Sequence, residues 1–312
     1  MARPFRFAVS ANRTPRTARE WTELARKVED LGFSTLALPD HLSDQLAPMA
    51  ALAAAAQVTT NLRLQTLVLG VDYRHPAVVA KEAATLDVLS DGRVELGLGA
   101  GWMTSDYSAA SITLDRPAVR IDRLAEAVTI IKRSFAAGPF SFDGKHYTIA
   151  DLDGQPKPVQ HPRPPILLAG GAEKMLRLAG REGDIVGVNV TLASGAIDVR
   201  AGASATPSAT DRKLEWIREA AGTRFADIEL QVRIYVAMIT DDRHGMVEAL
   251  APAMGIAPRD AMLSPHAVVG TVDQICDDLL YRREKWGFSY IGFGVDDLDA
   301  MAPVVARLAG AH

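Results

Sequence analysis

The chain has one cysteine, Cys276, in 312 residues. That rules out an internal disulfide framework and any cysteine-rich metal cluster. Aromatic residues make up only 6% of the chain, and neither sign of charge dominates: 34 Lys and Arg stand against 38 Asp and Glu, a net charge of −4. Without a basic surplus, nucleic acid is not an expected partner. No apolar run reaches the ~20 residues that a membrane helix requires, and the alanine-rich "APMAALAAAAQV" reads as a buried helix. The opening "MARPFRFAVS" carries basic residues but no apolar stretch after them, so it does not read as a secretory signal. These absences together point to a cytoplasmic protein.

What is present is ordinary globular material, 48% hydrophobic and 23% charged. The length suits two average domains or one large barrel. Periodicity switches repeatedly between strand and helix. Strand readings fall on "FRFAVS", "STLALPDH", "RLQTLVLG", "VELGLG", "PILLAGG", "DIVGVNV", "IELQVRIYVAMIT" and "YIGFGV". Helical sequence follows each one. Thr17 and Glu20 form a capping box with Gly32 past the helix end, Pro76 stands at a first helical turn, and Thr271 with Gln274 forms another box. Eight such units predict a parallel (β/α)8 barrel, the TIM barrel of the α/β class, as a single domain over 1–312. A doubly wound open sheet is the rival. Three excursions interrupt the rhythm, near 138–164, 191–210 and 241–269. The last two exceed normal loop lengths and read as lids or disordered segments, with 191–210 mobile.

Within "DGRVELGLGAGW" (91–102), Gly97, Gly99 and Gly101 alternate. A strand has side-chain period two, so one face is bare while Val94, Leu96 and Leu98 cover the other. Glycine inside a strand marks a close approach, here by a helix or by a ligand. In a barrel the site lies at the carboxyl ends of the strands. Those ends read Ser10-Ala11-Asn12, Pro39-Asp40-His41, Gly70-Val71, Ala100-Gly101-Trp102, Gly170-Gly171, Asn189 and Gly294-Val295-Asp296. So much exposed backbone suits a broad flat ligand.

At these residues the chain resembles the luciferase-like oxidoreductases that use a flavin or a deazaflavin. "RHPAVVAKEAATLDVLSDGRVELGLGAGW" (74–102), "LGFSTLALPDH" (31–41), "PPILLAGGAEKMLRLAGREGDIVGV" (164–188) and "VGTVDQICDDLLYRREKWGFSYIGF" (269–293) carry the resemblance. A dinucleotide fingerprint competes poorly, because the glycine spacing is GxGxG and no helix follows Gly101 directly. The resemblance implies a luciferase-like barrel whose mouth holds the cofactor ring. It implies a bulge with a non-prolyl cis peptide behind that ring, at Gly70-Val71-Asp72. It also implies His41 as the residue that gives or takes a proton, a task suited to an imidazole near neutral pH. Asp40 would bond the ring's polar edge or orient His41. Gly170, Gly171 and Ala172 put bare amides at a helix N-terminus, an anion site near the cofactor phosphate. Arg13, Arg16, Arg74 and Lys174 are candidates for a charged cofactor tail.

Relatives acting on sugar phosphates carry a glutamate where this chain has Ala100, and Trp102 offers an apolar wall, so the expected substrate is a small hydrophobic molecule. The expected activity is F420-dependent hydride transfer. The alternatives are an FMN-dependent monooxygenase and a non-catalytic flavin- or deazaflavin-binding protein. The resemblance further implies a homodimer. Among the other histidines, His75 and His161 precede proline and read as turn residues. His146 lies in an excursion, and His266 would overhang the mouth from the second lid. None has metal-ligand spacing, so no metal is expected.

Overall fold

The computed structural model describes residues 3–13, 15–192 and 199–311. Eight parallel strands form the barrel: β1 (Arg6–Ser10), β2 (Thr35–Leu38), β3 (Arg63–Thr66), β4 (Val94–Gly99), β5 (Ile166–Gly170), β6 (Ile185–Val188), β7 (Glu229–Arg233) and β8 (Phe288–Gly294). Each pairs with the next in chain order, and β8 returns to pair with β1, Phe7 opposite Ile291. Closure excludes the open doubly wound sheet.

A helix follows each strand and covers the barrel: Ala18–Asp30, Pro48–Ala56, Pro76–Leu89, Pro117–Phe135, Glu173–Glu182, Pro207–Ala221, Val272–Trp286 and Leu298–Leu308. Their starts follow from the sequence. Thr17 and Thr271 each form a reciprocal capping box, satisfying two otherwise orphaned groups at the helix entry. Pro76 occupies the first turn of its helix behind His75, whose ring accepts Ala77 N–H at 3.2 Å. Outward-facing Phe7, Leu36, Leu64, Leu96, Leu98, Ile166 and Val232 pack with these helices in the main core. Burying each such side chain contributes about 1.5–3 kcal/mol.

The strand alternation settles the glycine question. Leu96 and Leu98 face the helices, so Glu95, Gly97 and Gly99 face the barrel interior. Neither a helix nor a ligand fills their bare edge: the chain leaving β3 does. A Cβ on Gly97 would overlap Thr66 O, and one on Gly99 would overlap Val68 Cγ2. Leu67 and Val68 pack inward with Ala8, Leu167, Ile185 and Tyr290. The peptide between them is a non-prolyl cis bond, so the bulge lies earlier than the expected Gly70-Val71-Asp72. Past it, Leu69 and Gly70 rejoin β4 opposite Leu98 and Gly99.

The excursions hold more regular structure than their composition suggests. Residues 138–164 carry an antiparallel hairpin, Phe140–Asp143 with Thr148–Leu152. The long strand expected after Ile228 stops at Arg233. Val236–Ile239 instead pairs with Ala267–Gly270 outside the barrel, in a parallel two-stranded sheet. Between them, where a lid or disorder was expected, run the helices Arg243–Met254 and Pro258–Leu263. In 191–210, residues 193–198 lie outside the described residues. The remainder includes a 3-10 helix at Val199–Ser204 and the start of the Pro207–Ala221 helix.

Candidate active site

The carboxyl ends of β2, β3 and β4 bring one cluster together. His41 follows β2, and its Nδ1 lies 2.8 Å from Asp106 Oδ2. Asp106 stands on a short helix, Thr104–Ala109, that begins just after Trp102. A carboxylate only accepts, so Nδ1 carries the proton and the pair fixes the imidazole tautomer. Asp106 is 5% exposed, and its other oxygen accepts Leu42 N–H at 3.4 Å. The Trp102 indole meets the His41 ring edge-on, at 5.4 Å and 88°. Nε2 of His41 has no hydrogen-bond partner among the described residues. This imidazole is therefore oriented on one side and free on the other.

Asp40 does not orient His41. Its carboxylate accepts Arg74 at 2.5 and 3.0 Å and Gly70 N–H at 3.0 Å, which ties the bulge to β2. Val71 N–H donates to Gly99 O. Asp72 accepts the Tyr107 hydroxyl at 2.7 Å and Arg123 at 2.5 Å, so its carboxylate is engaged within the wall. Arg120 donates to the carbonyls of Ala100 and Gly101. Gly101 has φ +74, and a Cβ there would collide with the Tyr107 hydroxyl. Burial, with Asp106, Asp40 and Asp72 nearby, pushes the Tyr73 phenol up to about 12, and burial with Asp72 pushes Tyr107 higher still. Both phenols are neutral at physiological pH.

Gly170, Gly171 and Ala172 enter the Glu173–Glu182 helix, whose N-terminus has no side-chain cap. Gly171 is pressed against the Val190 backbone, with Val190 O where a Cβ would go. The candidate tail cations are already engaged. Arg13 is 4.0 Å from Asp296, Arg16 is 3.1 Å from Asp44, Lys174 is 2.7 Å from Asp122, and Arg74 holds Asp40. His266 does not overhang the mouth. It is 2% exposed, its Nδ1 donates to Arg233 O at 2.8 Å, and burial pushes it down to about 3.

A cavity of about 310 Å³ opens at the opposite, amino end of the barrel, lined by Arg3, Arg6, Glu95 and Glu229 among others. Its buried charges are matched. Glu95 accepts Arg6, Arg63 at 2.6 Å, Gln65 at 2.7 Å and Tyr290 at 2.9 Å. Burial would raise its carboxyl, but Arg6 and Arg63 outweigh that and hold it below the usual range. A barrel bottom so thoroughly paired serves stability, while the chemistry sits at the carboxyl end.

A deazaflavin or flavin fits the carboxyl end on three counts. Most inward positions near the top of the barrel are small, among them Ser10, Gly99, Ala169, Gly187 and Gly294, with Arg233 at the end of β7 the exception. The bulge offers a backbone floor, and the uncapped helix at Ala172 offers amide donors for phosphate.

A family model described as luciferase-like monooxygenase matches residues 2–258. An F420-dependent glucose-6-phosphate dehydrogenase of Microbacterium testaceum is 32% identical over 189 residues, 58% of this chain and 55% of that one. An F420-dependent hydroxymycolic acid dehydrogenase of Mycobacterium tuberculosis is 33% identical over 168 residues, 51% of this chain and 46% of that one. The chain thus spans about half the length of these relatives. The solved coenzyme F420 dependent tetrahydromethanopterin reductase from Methanopyrus kandleri superposes with a TM-score of 0.76 at 18% identity, covering 99% of this chain and 100% of that one. At that identity the likeness speaks for the fold alone. With the family model matching well over half of its length, the chain belongs to the luciferase-like monooxygenase family.

Proposed function

We propose that the protein is an F420-dependent oxidoreductase acting on a small organic molecule with an apolar face. The observation that carries this reading is the His41–Asp106 pair, whose imidazole has a fixed tautomer and a free Nε2 beside Trp102. The F420-dependence named for both relatives supports the choice of cofactor. When bound, the deazaflavin supplies or accepts a hydride. The backbone of 68–71, Gly101 and Trp102 would hold its ring, and the amides at Gly171 and Ala172 its phosphate. Asp40 acts from behind, holding Gly70 in place. His41 Nε2 takes the proton from a substrate hydroxyl as it is oxidised, or returns it to a carbonyl oxygen. Asp106 keeps the Nδ1 proton in place and stabilises the imidazolium between those events. Trp102 walls the imidazole from water. In this reading the chain is one barrel domain acting as a cytoplasmic homodimer, with its lone thiol, Cys276, buried.

The test is a fluorescence titration with F420 and, separately, with FMN, followed by the same titration of His41→Ala. Tight binding of F420 alone, unchanged in the variant while turnover collapses, is the expected result. Binding of FMN alone moves the protein to the monooxygenase reading. Binding of neither removes the cofactor account.

A further inference from the structure

Arg233 ends β7, and alternation along that strand turns it inward with Glu229 and Gln231. Its side chain lies along the inner face of β8. A Cβ on Gly294 would come 3.4 Å from Nη2, and one on Gly292 would come 3.9 Å from Cδ. Glycine at both places leaves the guanidinium its room. Nη1 donates to Phe293 O at 2.6 Å, the side chain's sole hydrogen bond among the described residues. Asp297 is close enough to favour the charge, yet its carboxylate is turned to Gly294 N–H at 3.1 Å and forms no ion pair with Arg233.

The other two arginines whose side chains enter the barrel interior are treated differently. Arg6 is paired with Glu95 and Glu229, and Arg63 with Glu95. Burial pulls Arg233 below the ordinary guanidinium value, the reverse of Arg6. The surroundings add positive charge. Lys213, 2% exposed, donates only to the carbonyls of Asn189 at 2.7 Å and Ser204 at 2.6 Å. Asn189 in turn accepts the Tyr235 hydroxyl at 2.6 Å. The rim between β6 and β7 therefore holds one buried and one half-buried cation, and no carboxylate is paired to either among the described residues.

A planar fork with free N–H donors, half-buried and short of a counter-charge, matches a carboxylate in shape and sign. Its position fits as well. In the closed order of strands, β7 is four places from β3, across the mouth from the bulge, while His41 and Trp102 follow β2 and β4. We propose that Arg233 is a substrate-anchoring residue that binds the oxyanion end of the organic substrate. The substrate is then an amphipathic acid, a carboxylate in the first place, with its apolar part toward Trp102. This rests on the functional reading above for the word substrate, though not for the anion site itself.

The test uses benzoate as the acid and benzamide as its neutral counterpart, with binding followed by calorimetry on the full chain, with and without F420. The wild type is expected to prefer benzoate by about tenfold or more. R233M should lose that preference and R233K should keep part of it, with melting temperatures confirming that both variants are folded. Equal affinities in the wild type, including failure of both compounds to bind, overturn the proposal. So does a preference that survives in R233M. Preference for benzoate without F420 binding would refute the cofactor reading alone, whereas F420 binding without the preference would refute the anchor alone.

Discussion

The two ends of the barrel interior are made by the same eight strands and treat charge in opposite ways. At the amino end Arg6, Arg63, Glu95, Glu229, Gln65 and Tyr290 satisfy one another. At the carboxyl end the His41 Nε2 and most of the Arg233 fork have no partner among the described residues. An unpaired polar group in a low-dielectric interior costs free energy, and a fully connected network rigidifies. The amino end thus contributes stability. The carboxyl end pairs Asp40 and Asp72 within its wall but leaves the His41 Nε2 and most of the Arg233 fork available for a ligand. The amino end holds a cavity of about 310 Å³ among paired charges, so a cavity alone does not mark a site; unspent hydrogen-bonding capacity is the better guide here.

The strongest way to break this contrast is at Glu95. Glu95→Ala leaves Arg63 with only the neutral acceptors Gln160 and Val94 O and strips Arg6 of one of two acids. Removing one member of a buried ionic cluster costs about 3–5 kcal/mol, so urea unfolding should shift by that amount; a shift under 1 kcal/mol would mean the amino end is not the stabilising one. The same carboxylate sets an acid limit. Its folded value lies below its ordinary one, so its contribution is complete above the ordinary glutamate range and fades as pH falls through the folded value. Glu95→Gln should flatten that acid loss.

At the other end the effect should fall on rate and not on stability. His41→Ala is expected to lower turnover by about 10²–10⁴, with the urea midpoint nearly unchanged. A variant that keeps its turnover would remove His41 from the mechanism and leave the non-catalytic binding reading in its place. Asp106→Asn is the finer probe. Asn retains an acceptor for Leu42 N–H but offers His41 an amide that favours the opposite tautomer. Loss of a charged hydrogen bond worth about 1.5–3 kcal/mol corresponds to a ten- to hundredfold fall in turnover. The pH dependence of kcat should move with it, and a purely structural Asp106 would leave that profile in place.

The barrel itself was legible because strand and helix periods alternate eight times and proline and threonine punctuate the helix starts. The site was legible only where it is local. Pro39-Asp40-His41 stood out, but the partner of His41 lies 65 residues onward, on a short helix that no motif marked. The glycines of β4 were visible, yet what meets them is backbone from β3, and the ordinary residues Leu67 and Val68 carried no mark of the cis bond. One missed signal was available. Glu229, Gln231 and Arg233 alternate as polar residues on a barrel strand, and in a closed barrel that face points inward. Reading "IELQVRIYVAMIT" as one long strand hid it.

The smallest expected effect concerns the charge that the carboxyl end does not carry. His266 sits behind Arg233, bonded to its carbonyl and near Lys213 and Arg282, and it stays neutral because burial pushes it down to about 3. In the unfolded chain a histidine titrates near its ordinary value of about 6.5. Between those two values the unfolded state binds a proton that the folded state refuses, so stability rises with pH there. From pH 6.5 down to pH 5 this one residue should remove about 2 kcal/mol. His266→Asn keeps a donor for the Arg233 carbonyl and cannot titrate, so its urea midpoint should fall less over that interval than the wild type's. Equal slopes would mean that His266 takes up a proton in the folded state, placing a third cation on the β6–β7 rim. The anion preference of that rim should then strengthen below pH 6.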